Sequence, residues 1–138
     1  MRRLVTAVSC GVLVLLAGAC GASDDALSPT TGRTAKPVVG VILPDRSSSD
    51  RWEEQDRPLL LQALNFAGVE GVIENADGDE AKFASLADEM IARGVKVLMT
   101  TPLSPEGGAA VERKAEQAGI PVINYDRISL GGQAEYYV

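Results

Sequence analysis

The feature that most constrains this chain is an alternation beginning at Pro37. Three times a short β-branched run, a turn and a longer stretch of helical period follow one another, and two further strand-like runs close the series. Val38-Val39-Gly40-Val41-Ile42-Leu43 is almost wholly apolar, the pattern of a parallel strand covered on both faces, and Pro44 ends it. Ser47-Ser48-Ser49-Asp50 offers N-caps to a helix over 51–67, with Leu60, Ala63, Leu64 and Ala67 on its stripe and Gly68 as its stop. Pro58 lies eight positions inside. It removes a hydrogen bond there, so regular winding is expected to begin only at Arg57, with Pro58 as its first residue.

The next units follow the same rule. A strand over 71–75 leads through Ala76-Asp77-Gly78-Asp79 into a helix over 80–93 that buries Phe83, Ala87, Met90 and Ile91 and stops at Gly94. A strand over 95–100 closes at Thr101-Pro102. A helix over 105–118 follows, striped by Val111, Ala115 and Ala118, with Gly119 behind it. Val122 and Ile123 form the fourth strand; after the turn Ser129-Leu130-Gly131-Gly132, Ala134 to Val138 starts a fifth. Short links between strands and helices impose right-handed crossovers, so the predicted fold is α/β: a doubly wound parallel sheet in three αβα layers.

With 138 residues, 46% hydrophobic and 23% charged, the chain suits one globular body. It has no histidine, and its cysteines, Cys10 and Cys20, fall within the first twenty residues. The body therefore carries no thiolate nucleophile and no histidine base or ligand, and nothing in it calls for a metal or a cofactor.

The first 19 residues read as an export signal: Arg2 and Arg3, then an apolar run from Leu4 to Ala19 too short for a full membrane span. Leu16-Ala17-Gly18-Ala19-Cys20 resembles the lipobox of bacterial lipoproteins, in which the cysteine becomes the lipidated first residue. Here Ala17 stands where leucine is commonest. The reading implies an exported protein anchored through Cys20 to the outer, extracytoplasmic face of the cell membrane. Residues 20–36, small and aperiodic, form a tether, and 37–138 the body. Cleavage before Cys20 removes two bases and no acid, taking the net charge from −6 to −8. Such a body is a poor partner for nucleic acid.

In open parallel sheets ligands meet the loops beyond the carboxyl ends of the strands. Asp126 and Arg127 follow the fourth strand directly, an acceptor-only carboxylate beside a donor-only guanidinium, able together to hold neighbouring hydroxyls. The plain alternative is that they solvate a loop. Arg51 and Trp52, in the first loop, bring a polar fork and an aromatic plane to the same edge. A pyranose has an apolar C–H face for stacking and a rim of hydroxyls that need several partners. For Trp52 the competing reading is a side chain covering the core at the helix start. Glu53 and Glu54 read as a favourable acidic first turn rather than as catalytic groups.

Val39-Gly40-Val41-Ile42-Leu43, Arg51-Trp52 with Asp56-Arg57, Ala92-Arg93-Gly94-Val95-Lys96-Val97-Leu98, Ala118-Gly119-Ile120-Pro121-Val122 and Tyr125-Asp126-Arg127 stand in an order that resembles the amino-terminal lobe of periplasmic sugar-binding proteins of ABC importers. The likeness is to the xylose-binding type, with the ribose-binding type a cousin, and covers about 37–138. It implies a monosaccharide as ligand, an importer permease as partner, and sugar-binding roles for Asp126, Arg127, Arg51 and, less directly, Trp52. Pro58 departs from the family's first helix. The family continues through a hinge into a second lobe, which a chain ending at Val138 would lack, so a single lobe is expected.

Competing classes fit less well. A phosphoacceptor receiver needs an aspartate where Thr100 and Thr101 end the third strand, and nucleotide binding wants a glycine-rich loop where Pro44-Asp45-Arg46-Ser47 has none. Asp77-Gly78-Asp79-Glu80 lacks the spacing of a calcium loop. Repressor-type sugar sensors share the lobe but need DNA-binding helices where this chain has an export signal. The sequence therefore reads as a solute-binding lipoprotein and not an enzyme. The alternatives are a truncated remnant or interaction protein that binds no sugar, or a sugar sensor feeding a signalling receptor.

Overall fold

The computed structural model describes residues 35–138. The leader, Cys20 and the tether as far as residue 34 lie outside the described residues.

Five parallel strands form one sheet: β1 (Val38–Leu43), β2 (Glu70–Asn75), β3 (Val97–Thr100), β4 (Val122–Asn124) and β5 (Tyr136–Tyr137), in the order β2-β1-β3-β4-β5. Val38 lies opposite Glu70 on one side of β1, and Val39 opposite Val97 on the other. Alternate residues of β1 therefore feed two cores. Ile42 joins Leu98, Val122, Phe83, Met90 and Val111 beneath α2 (Glu80–Arg93) and α3 (Pro105–Gln117). Val41 and Leu43 join Ile73 and Trp52 on the opposite face, beneath α1 (Arg57–Phe66). The three-layer, doubly wound α/β fold expected from the alternation is the one observed.

Pro58 leaves its mark where expected. Regular α winding starts at Arg57, while Trp52–Asp56 is wound as a π-helix in which the Arg57 N–H donates to the Trp52 carbonyl, five residues back. A proline has no N–H and its ring crowds the carbonyl four residues before it, so α winding does not extend back through it. The expected stripe of α1 needs correction: Leu60, Leu61 and Leu64 face the sheet, whereas Ala63 and Ala67 are exposed. The helix leans over Gly71, where an added Cβ would sit 2.7 Å from Leu64 Cδ1, and this close approach brings the leucines inward.

α2 is capped at both ends. Asp79 Oδ1 accepts from the N–H groups of Ala81 and Lys82 at 2.7 and 3.1 Å, and Gly94 closes the helix with φ 76°. On α3 the buried set runs from Gly108 through Val111 and Glu112 to Ala115; Ala118, expected on the stripe, is exposed because the chain turns off the helix there. The fifth strand is shorter than the run from Ala134 to Val138, with only Tyr136 and Tyr137 in the ladder with β4.

Candidate functional site

The site is assembled from the loop after β1. The Asp45 carboxylate is buried and folds that loop around itself, accepting from the N–H groups of Ser47 and Ser48 at 2.8 and 2.5 Å and from Ser48 Oγ at 2.7 Å. The Ser48 N–H foremost, and the other donors with it, hold the Asp45 pKa below the usual carboxylate range, against the opposing effect of burial. Ser48 Oγ in turn accepts from Trp52 Nε1 at 3.2 Å, fixing the indole at the start of the π-wound turn. Trp52 is only 3% exposed and packs with Val41, Leu43 and Ile73. It covers the core, as the competing reading had it, and its ring also carries the charged groups above it.

Two guanidiniums meet that ring. Arg51 Cζ lies 4.2 Å from the ring centroid and Arg127 Cζ 5.7 Å, while Tyr125 contacts it edge-on at 6.4 Å. Arg51 Nη2 donates to Asp126 Oδ1 at 2.6 Å and its Nε to Asp56 Oδ2 at 3.1 Å. The Asp126 hydrogen bond raises the Arg51 pKa further. Arg51, Trp52, Asp126 and Arg127, chosen from separate parts of the sequence, thus form one cluster at the carboxyl edge of the sheet.

Asp126 itself is held in an unusual backbone conformation. Its φ is 65°, and the Arg127 N–H reaches back to the Tyr125 carbonyl at 2.8 Å, closing a γ-turn with Asp126 at its centre. β5 and the residue after it grip the turn from the side: the Asp126 N–H donates to the Val138 carbonyl at 2.7 Å, and Tyr137 OH to the Asp126 carbonyl at 3.1 Å. β5 is itself tied down by a residue that sequence reading missed. Glu112 on α3 is 1% exposed; its Oε1 accepts from Asn124 Nδ2 at 3.0 Å, and its Oε2 accepts from the N–H groups of Gln133 and Ala134. Gly132 permits this approach, because a Cβ there would collide with the carboxylate.

In the sequence Asp56 enters only through the family pattern, without a role of its own. Glu53 belongs to a neighbouring network: it accepts from Arg57 Nε at 2.5 Å and Asn75 Nδ2 at 2.7 Å and pairs with Arg46 at 3.2 Å. Arg46 and Lys82 also pair with Asp77, so the loops after β1 and β2 are bound together. This accounts for Glu53 as a structural carboxylate. A groove of about 250 Å³ lies along the β4–β5 connection, lined by Asn124, Ser129, Glu135, Tyr136 and Tyr137 among others. It is separate from the cluster around Arg51, where the charged and aromatic groups converge.

The fold that carries this cluster has known counterparts. Residues 39–138 match the family described as the periplasmic binding protein domain. The D-xylose-binding periplasmic protein of Escherichia coli is 30% identical over 105 residues, which are 75% of this chain and 31% of that protein. A carbohydrate transporter solute-binding protein from Chloroflexus aurantiacus in complex with D-glucose is 36% identical with a TM-score of 0.66, over 72% of this chain and 29% of that one. An ABC transporter solute-binding protein from Clostridium phytofermentans with bound β-D-glucose is 31% identical with a TM-score of 0.67, over 72% and 31% respectively. The chain thus spans about a third of the length of the relatives it matches, and those relatives are binding proteins rather than enzymes. With its sheet order, its two-sided helices and this match over most of its length, the chain belongs to the periplasmic binding protein family and corresponds to one lobe of it.

Proposed function

We propose that this chain supplies one wall of the monosaccharide site of an extracytoplasmic solute-binding protein serving an ABC importer, with a xylose-like pentose or a related sugar as ligand. The observation that carries the reading is the Arg51–Asp126 pair, seated over Trp52 beside Arg127 at the open edge of the sheet. Asp126 has carboxylate lone pairs beyond the one that Arg51 uses, and both guanidiniums have N–H groups to spare. Neighbouring hydroxyls of a sugar, each able to donate and accept, match that mixture, and the xylose- and glucose-binding relatives support the choice of ligand class.

The same reading includes lipidation of Cys20, a tether over 20–36 and delivery of the sugar to a membrane permease. Support for the anchor comes from the lipobox-like run alone. The site is tested on the 138-residue chain by following backbone amide signals while D-xylose or D-glucose is added. Shifts centred on Asp126, Arg127 and Arg51 are expected; shifts scattered over the surface, or none, would sink the proposal.

A further inference from the structure

We propose that Asp56 is a positioning residue for Arg51, and that the π-wound segment ahead of Pro58 serves to bring it there. The inference rests on the monosaccharide reading of the site. Arg51 and Asp56 are five residues apart. On an α-helix, at about 100° per residue, they would stand about 140° from each other and face different ways. A winding whose hydrogen bonds span five residues returns residue 56 to the side of residue 51, and Asp56 Oδ2 accordingly accepts from Arg51 Nε at 3.1 Å. The Asp56 side chain is only 13% exposed, so its carboxylate is committed to this edge. Its charge also raises the Tyr125 hydroxyl pKa, second to burial, as a nearby carboxylate does.

The guanidinium plane of Arg51 is thereby restrained at three places: Nε on Asp56, Nη2 on Asp126 and its face on Trp52. Asp126 alone would leave it free to pivot. A sugar hydroxyl that engages Asp126 also competes with Arg51 for that carboxylate. With Asp56 behind it, the arginine keeps an anionic partner throughout, so ligand binding strands no charge. Pro58, an anomaly in the sequence, becomes part of the site on this account.

The test compares wild type with Asp56→Ala, Asp56→Asn and Pro58→Ala. Its first readout needs no sugar: the Arg51 Nε–H signal is expected to move toward that of free arginine in Asp56→Ala and Pro58→Ala, and less in Asp56→Asn, which keeps an acceptor. The second is the D-xylose or D-glucose concentration at half response, expected to rise about tenfold in Asp56→Ala and by a smaller factor in Asp56→Asn, with melting unchanged. An unmoved Arg51 signal, a wild-type half response in Asp56→Ala, or losses that merely track lower melting temperatures would overturn the proposal. If wild type answers no sugar, the monosaccharide reading fails instead, and the Arg51 signal still decides whether Asp56 positions it.

Discussion

Arg51 Nη2 stands 2.6 Å from Asp126 Oδ1 across 75 residues of sequence, joining the loop after β1 to the turn after β4. Both side chains remain more than a third exposed, 41% and 34%. An exposed pair of this kind contributes about 0–1 kcal/mol to stability, so its value lies elsewhere. On the proposed monosaccharide reading, Arg51→Ala or Asp126→Ala is expected to cost about 2–3 kcal/mol of sugar binding, because each removes a charged group that hydrogen-bonds the sugar hydroxyls. Calorimetry checks this, and melting curves should show only a small change. Asp126→Gly adds a contrast: the φ of 65° suits glycine, so this variant should melt no lower than wild type and yet bind as poorly as Asp126→Ala.

The sheet was legible because Val38 to Leu43, and the runs after it, are β-branched, bounded by proline or glycine and separated by helical periods. The cluster was legible because sheet topology places the ends of β1 and β4 on one edge. The supports were not. Glu112 reads as solvent-facing helix charge, and only the approach of Gly132 and the N–H groups behind it turns that position inward. Ala63, Ala67 and Ala118 fit an apolar stripe by type, but which face is buried depends on where helix and sheet approach most closely. Asp56 reaches Arg51 only through π winding, which a 3.6-residue template does not contain.

Glu112 is expected to matter for folding more than its surface-like sequence context suggests. Glu112→Gln replaces one acceptor oxygen with a donor, while three N–H donors, from Asn124, Gln133 and Ala134, still converge on it. With the Asn124 amide kept in its present orientation by the Thr100 hydroxyl, one donor then faces another, at a cost of about 1–3 kcal/mol. Urea unfolding measures it. Gly132→Ala should destabilise by the same route, through the clash of its Cβ with the Glu112 carboxylate. A neutral result for both variants would remove Glu112 from the account of how β5 is held.

Acid should loosen the loop after β1 through Asp45. Folding lowers this pKa, so the native state takes up its proton less readily than the unfolded chain. The stability so gained is complete above about pH 4, the ordinary aspartate range, and is lost as the pH falls through the lowered native value. Glu53, whose pKa is lowered chiefly by its hydrogen bond from Arg57, acts in the same direction. The stability difference between wild type and Asp45→Asn should therefore be full at neutral pH and shrink below about pH 4. A difference that stays constant down to about pH 2 would contradict this.

The membrane anchor is tested at Cys20. Cys20→Ser should abolish incorporation of labelled palmitate and release the protein from the membrane, while the body over 37–138 keeps its circular dichroism spectrum. Labelling that survives the substitution would remove the anchor from the proposal.

The most direct measurement uses Trp52, the only tryptophan in the chain, which lies beneath both guanidiniums. A ligand that draws Arg51 or Arg127 away from the indole must alter its emission. Because the site groups stand on a single open wall and compete with water, the half response to D-xylose or D-glucose in the 138-residue chain is expected on the order of 10 mM, equivalent to about −3 kcal/mol. The account predicts a saturable emission change that Asp126→Ala abolishes. An emission that stays flat through saturating sugar, or a change that persists undiminished in Asp126→Ala, would contradict it.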